Sequence, residues 1–248
     1  MKPARTKPAA ATNRLLTALP LADRRRFLAR CEHVELVAGD VLYQADTPLR
    51  HVYFPTGAFI SMVTPLAACA GLEVALVGRE GMVGVAPLLG VLVSPLNHLV
   101  QGAGSAWRMP VGTFRSALGR SPALRRLLGR YAYVKMHAFA QTAACTRFHM
   151  VKERLARHLL MTQDRSRSDQ FQATHEFLAY MLGVRRVGVT KAATALQNQA
   201  LISYSRGNIT ILDRPGLEAS SCGCYAAGIE MYDHILGERP EKRSARAA

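Results

Sequence analysis

Arg186, Thr190 and Thr194 recur every four residues and Lys191 lies three before Thr194, so the four share one face of any helix that carries them. Guanidinium, ammonium and hydroxyl groups in that arrangement are donors suited to base edges and phosphates in a major groove. Val189, Ala192, Ala193 and Leu196 form the opposite, apolar face. Upstream, Thr174 is placed to cap a helix bearing Phe177, Leu178 and Met181, and Gly183 breaks that helix. Downstream, residues 202–212 alternate around Arg206-Gly207-Asn208, a hairpin pattern. Residues 174–212 therefore predict a winged helix-turn-helix that binds double-stranded DNA. Thr174, Arg185, Arg206 and Asn208 are the expected phosphate contacts, and Arg186, Val187, Thr190 and Lys191 form the expected reading face. A helical hairpin with a solvated basic face is the plain alternative. The short turn, the small Ala residues at the crossing and the hairpin that follows weigh against it. Gly188 inside the second helix costs about 1 kcal/mol relative to Ala, which close approach to DNA would offset.

A second group of reactive side chains is more dispersed. The five cysteines are Cys31, Cys69, Cys145, Cys222 and Cys224. Cys222-Gly223-Cys224 is tighter than the usual C-x-x-C metal bite, so the pair reads as ordinary thiols near the C-terminus. His98, His137, His149 and His158 read as packed or solvated. Neither a metal site nor a catalytic residue is expected. The sequence has no Ser/His/Asp grouping, paired carboxylates, G-x-G-x-x-G or Walker loop. Two alternatives stay open: a thiol- or metal-dependent enzyme using Cys222 and Cys224, and a non-specific nucleoid-type DNA binder.

Charge supports a polyanionic partner. The 248 residues carry a formal net charge of +15, which supplies salt-dependent attraction to nucleic acid. Residues 108–191 hold 16 Lys/Arg against 4 Asp/Glu, whereas 31–107 hold only Arg50 and Arg79 as bases. The charge thus gathers on the half that ends in the DNA-binding unit. Residues 1–14 lack an apolar signal core, and Gly and Pro punctuate 81–107 too often for a membrane span. A cytoplasmic, reduced protein without membrane association is expected.

The elements that would position the reading helix follow from periodicity. Residues 1–13 read as a disordered basic leader and 14–30 as one helix. Short β-type runs at 34–37, 41–43, 51–54, 59–63, 73–77 and 98–101 alternate with turn signals, a compact β-roll or barrel. From Ser121, Leu124, Leu127, Tyr131, Val134, Ala138, Gln141, Cys145 and Phe148 alternate at three and four, a heptad seam that suits parallel pairing with a second copy. The other possibility is that this seam packs on the roll. Cys145 would then be a small buried residue, and in the paired arrangement it could meet its copy within disulfide range. A further amphipathic helix at 150–162 leads through a polar connector into the DNA-binding unit.

This order of elements resembles the Crp/Fnr family of bacterial transcription regulators over roughly residues 14–217. The likeness rests on Val37-Ala38-Gly39-Asp40-Val41-Leu42-Tyr43, on Val52 to Gly57 and on Val77 to Val85 in the roll. In the DNA-binding unit it rests on Glu176-Phe177-Leu178-Ala179, Leu182-Gly183-Val184-Arg185-Arg186, Val189-Thr190 and Leu201-Ile202. The resemblance implies an α+β chain with four parts. These are a cyclic-nucleotide-binding-like β-roll (14–120), a long dimerisation helix (121–148), a winged helix-turn-helix (149–217) and a C-terminal tail (218–248). It implies a homodimer on a palindromic operator, with RNA polymerase as a partner if the protein activates. Family members that bind cyclic nucleotides use a Gly-Glu pair on the ribose and an Arg-Ser/Thr pair on the phosphate. Here the corresponding effector-pocket positions are Gly84, Val85 and Ser94, without the carboxylate and without the Arg. A buried phosphate lacking a cation is costly, so no cyclic AMP or other cofactor is expected and the effector stays unidentified. Val187 and Lys191 fall where well-studied members carry Glu and Arg, which implies a different operator.

Overall fold

A computed structural model describes residues 12–66 and 69–237, without the side chains of 69 and 70. Most of the expected leader lies outside the described residues. Asn13 does not belong to it: its buried side chain accepts from the Leu16 amide and donates to the carbonyls of Pro55 and Gly81. The helix expected over 14–30 is two helices, α1 (Arg14–Thr17) and α2 (Leu21–Leu28). Pro20 separates them because its ring cannot continue the first and its fixed φ starts the second.

The roll is built from β1 (Glu32–Leu36), β2 (Val41–Tyr43), β3 (His51–Pro55), β4 (Phe59–Leu66), β5 (Cys69–Val77), β6 (Asn97–Gly102) and β7 (Gly104–Pro110). These pair antiparallel as two sheets, β1-β7-β3 and β2-β6-β4-β5. β7, the middle strand of its sheet, went unread in the sequence, since Gly104-Ser105-Ala106-Trp107-Arg108 lacks the alternating pattern of a half-buried strand. Helix α3 (Val111–Arg120) follows, a helix where the sequence reading continued the roll. Phe54, Ile60, Val77, Val100, Met109 and Phe114 close the core between the sheets.

Helix α4 (Pro122–Phe148) starts where Ser121 accepts from the Leu124 amide. Leu124, Leu127, Leu128 and Tyr131 are buried on the roll, and Val134, Thr142 and Cys145 are buried further along. The expected seam therefore faces the chain's own core rather than a second copy. Of its eight positions only Phe148 is exposed. A different row lies open: Arg126, Gly129, Tyr133, Met136, Ala140, Ala143 and Arg147, also at alternating three and four. The helix carries two stripes of similar texture, and packing decides which one points inward.

Helix α5 (Val151–Ser166) then leads into the second core, formed by Leu155, Leu159, Leu160, Leu178, Val189, Leu196, Ile209 and Leu217. Two polar contacts tie α5 back to the roll. His158 Nδ1 lies 3.2 Å from Glu73 on β5, with both side chains buried, and Arg165 lies 2.7 Å from Glu80. Burial works against ionisation of Glu73 and Glu80, yet His158 and Arg165 hold their carboxyls below the usual range.

Lys135 of α4 is buried beside this network, and desolvation pulls its pKa from 10.5 down to about 8. Between those two values the unfolded chain keeps a proton that the folded chain releases, so stability rises with pH across that window. Below about pH 8 the cost of the buried ammonium is fully present. Lys135→Met is expected to flatten the rise, by up to about 3 kcal/mol. Denaturant titrations of both proteins at pH 7.5 and pH 10 check this; a constant difference between them contradicts it.

Candidate nucleic-acid interface

The helix-turn-helix unit is assembled by local signals. Helix α6 (His175–Leu182) begins at Thr174, whose hydroxyl accepts from the Phe177 amide at 3.1 Å. It ends at Gly183, with φ +62 and ψ 41, a left-handed turn that a side chain would resist. Helix α7 (Arg186–Asn198) follows with Val189, Ala192, Ala193 and Leu196 buried, as its spacing predicted. Its other side presents Arg186, Val187, Thr190, Lys191 and Thr194 to solvent. Strands β9 (Ile202–Ser205) and β10 (Asn208–Ile211) form the wing, with Ser205 opposite Asn208. Arg206 and Gly207 are the two turn residues, at φ 49 and 83, the twist that tight hairpins need. Of the polar connector expected over 163–170, the first four residues continue α5 to Ser166, and a third strand, β8 (Gln170–Gln172), begins at its last residue and pairs with β10.

Among the described residues, Arg185, Arg186, Lys191 and Arg206 form no salt bridge, and all four are exposed. An unneutralised cationic face beside an exposed turn is what phosphate contact requires. Asn208 is exposed at the start of β10. Val187 is 59% exposed, an apolar side chain able to meet a thymine methyl and unable to accept from cytosine. Nothing lies within 4 Å of the position a Cβ on Gly188 would take, so no neighbour within the chain demands glycine there.

Thr190 differs from its neighbours. Its hydroxyl donates to the Arg186 carbonyl at 3.1 Å and shares a 3.0 Å hydrogen bond with His175 Nδ1. The His175 ring stacks on Tyr204 of the wing, with centroids 4.3 Å apart at 15°. Burial, then the charge of Arg186, lowers the His175 pKa, which favours the neutral ring. Thr190, His175 and Tyr204 thus brace the reading helix against the wing. Sequence reading missed the last two, because the contact joins three elements. It also missed Arg154, whose buried guanidinium donates to the carbonyl of Leu182, the last residue of α6. That bond satisfies an otherwise orphaned helix-end acceptor and fixes α6 on α5.

The effector-pocket residues serve the roll's own turns. Gly84 has φ +87, and a Cβ there would stand 3.1 Å from the Tyr43 hydroxyl. Tyr43 itself donates to the His51 carbonyl. Ser94 is buried, accepting from the Leu96 amide at 3.2 Å, and Val85 is half-buried. A cavity of 440 Å³ opens elsewhere, between the roll, α4, α5 and the C-terminal helix. Glu80, Lys135, His137, Arg165 and Tyr232 are among the residues that line it.

The described part of the expected tail, residues 218–237, is folded. Helices α8 (Arg214–Ser220) and α9 (Cys224–Leu236) follow the wing, and α9 lies along α4. Tyr232 donates to the Glu80 carbonyl at 2.6 Å, and Arg130 donates to the Ile235 carbonyl. Residues 238–248 lie outside the described residues. Folding the tail back carries Cys222 and Cys224 to Cys145. Cys145 therefore lies inside its own chain, 3.5 Å from Cys222 through the sulfurs, rather than opposite a copy of itself.

A roll joined by a long helix to a winged helix-turn-helix with a free basic face is the architecture of the Crp/Fnr-type regulator fold. Residues 153–220 match the Crp-like helix-turn-helix domain, and the chain as a whole has the Crp/Fnr-type transcription regulator fold. Similar solved structures include a Eubacterium rectale protein assigned to the Crp/Fnr family of transcriptional regulators. It has a TM-score of 0.67 and 15% identity, covering 83% of this chain and 96% of that one. The c-di-GMP responsive global regulator CLP of Xanthomonas campestris has a TM-score of 0.64 and 15% identity, covering 77% and 99%. FixK2 of Bradyrhizobium japonicum has a TM-score of 0.65 and 15% identity, covering 77% and 98%. No curated protein matches the sequence. Among the described residues no helix is long and apolar enough to cross a membrane.

Proposed function

We propose that the chain is a sequence-specific transcription regulator that binds a palindromic operator as a homodimer. The observation that carries this reading is the solvent-facing row of Arg186, Val187 and Lys191 on the second helix of a Crp-like helix-turn-helix domain. Arg186 and Lys191 read base edges, Val187 covers a thymine methyl, and Arg185, Arg206 and Asn208 grip phosphates. The exposed row Gly129, Tyr133, Met136, Ala140 and Ala143 on α4 supports pairing with a second copy, since small and apolar residues at heptad spacing suit a close parallel helix pair. RNA polymerase enters as a partner if the protein activates. The roll senses a signal without the cyclic-nucleotide clasp, because Val85 follows Gly84 and Ser94 spends its hydroxyl locally.

Selection from random DNA tests the function directly. The expected result is enrichment of an inverted repeat with half-site centres about one helical turn apart. Salt-dependent binding with no enriched sequence would instead select a nucleoid-type binder.

A further inference from the structure

Cys145 and His149 are four residues apart at the C-terminal end of α4, one turn of helix, so their side chains leave on the same side. Cys222 and Cys224 flank Gly223, the residue that opens α9. The fold brings the two pairs together across a separation of 77 residues. The three sulfurs and one imidazole nitrogen all lie within 4.8 Å of one another. Cys145 and Cys222 sulfurs are 3.5 Å apart, and Cys224 Sγ lies 3.5 Å from His149 Nδ1. All three cysteines are buried, at 5% exposure or less.

We propose that Cys145, His149, Cys222 and Cys224 form a structural site for one tetrahedral divalent cation of the zinc class. The edges of a Cys3His zinc tetrahedron are about 3.5–3.8 Å, given Zn–S of about 2.3 Å and Zn–N of about 2.0 Å. The observed spacings need only small rotations of the side chains to meet that shape. Four protein ligands close the coordination sphere, which is the pattern of a structural rather than a catalytic site. Loading exchanges three thiol protons for the ion and leaves one net negative charge. Arg154 and Arg157 line the same small cavity as Cys145, and Arg154 is buried. Gln141 Nε2 donates to Cys224 Sγ at 2.9 Å, the kind of N–H to sulfur bond that orients a metal thiolate.

The position gives the site a role. His149 is the cap residue that ends α4, and Met150 caps α5 immediately after it. The ion would therefore pin α9 to the joint between the long helix and the DNA-binding unit. Metal loading holds that joint in one geometry, and metal loss or thiol oxidation frees it. The inference stands independently of what operator the protein reads.

The test is metal analysis of the full-length protein purified under reducing conditions without added chelator. One zinc per chain is expected. Cobalt substitution should give the thiolate charge-transfer and intense visible bands of a tetrahedral site. His149→Cys should keep one metal per chain with a shifted cobalt spectrum. Cys224→Ser should weaken cobalt binding by about 100-fold or more. Gln141→Leu leaves all four ligands in place and should weaken it about 10- to 100-fold. Circular dichroism establishes that each variant is folded, and Gln141→Leu keeps the test informative should a ligand variant unfold. A reduced, folded protein that arrives without metal and takes up no cobalt overturns the proposal. So does a Cys145–Cys222 disulfide in protein whose thiols were trapped at lysis, or unaltered cobalt binding in Cys224→Ser.

Discussion

Arg186→Ala is expected to cost about 10- to 100-fold in affinity for the selected operator while changing affinity for random DNA far less. The reason is geometric. Arg186 opens α7, is exposed and has no acidic partner among the described residues, so its fork is free to bind two acceptors on one guanine. Arg206→Ala should behave differently. It sits in the two-residue wing turn, where it can reach phosphates but has no fixed approach to a base edge. Operator and random DNA should weaken together, and the salt dependence of binding should fall by about one counterion. Fluorescence anisotropy on both DNAs over a salt series separates the two. Equal losses on both DNAs for both variants would remove the division between reading and gripping.

Met136→Glu is expected to convert the proposed dimer to monomer and to lower operator affinity by about 100-fold or more, through loss of the second half-site. Met136 is 66% exposed at the centre of the outward row on α4. In a symmetric parallel pair the new carboxylate would face its own copy, and like charges in a desolvated seam are costly. Leu127→Ala supplies the contrast. Leu127 belongs to the inward row and is buried against the roll, so truncating it should cost about 2–5 kcal/mol of stability and leave association intact. Light scattering and thermal unfolding on the two variants decide which row does which task. If Leu127→Ala dissociates the dimer and Met136→Glu does not, the assignment of faces is reversed.

The helix-turn-helix unit was the most legible part of the sequence. The Thr174 cap, the Gly183 break, the buried row from Val189 to Leu196 and the Arg206-Gly207 turn all stand in the structure where local pattern placed them. Each depends on residues within one turn or one hairpin, and such signals survive in a single sequence. The brace of His175, Thr190 and Tyr204 was harder, since no periodicity links a helix cap to a wing strand. β7 escaped because its residues alternate too weakly to announce a strand, and its neighbours in the sheet supply what its sequence lacks.

The sequence by itself therefore determined the helix-turn-helix unit: where its two helices begin and break, which residues of the second helix are buried, and how the wing turns. It also placed the charge on that half of the chain. Only the tertiary structure decided the rest. The two heptad rows of α4 are alike in texture, and only the roll packed against one of them says which remains for a partner. Cys145 and His149 on one helix, and Cys222 and Cys224 some 77 residues on, are two unremarkable pairs until α9 folds back along α4. Periodicity records what a residue does for its own helix or strand. Which distant group it meets is fixed by the packing of the whole chain.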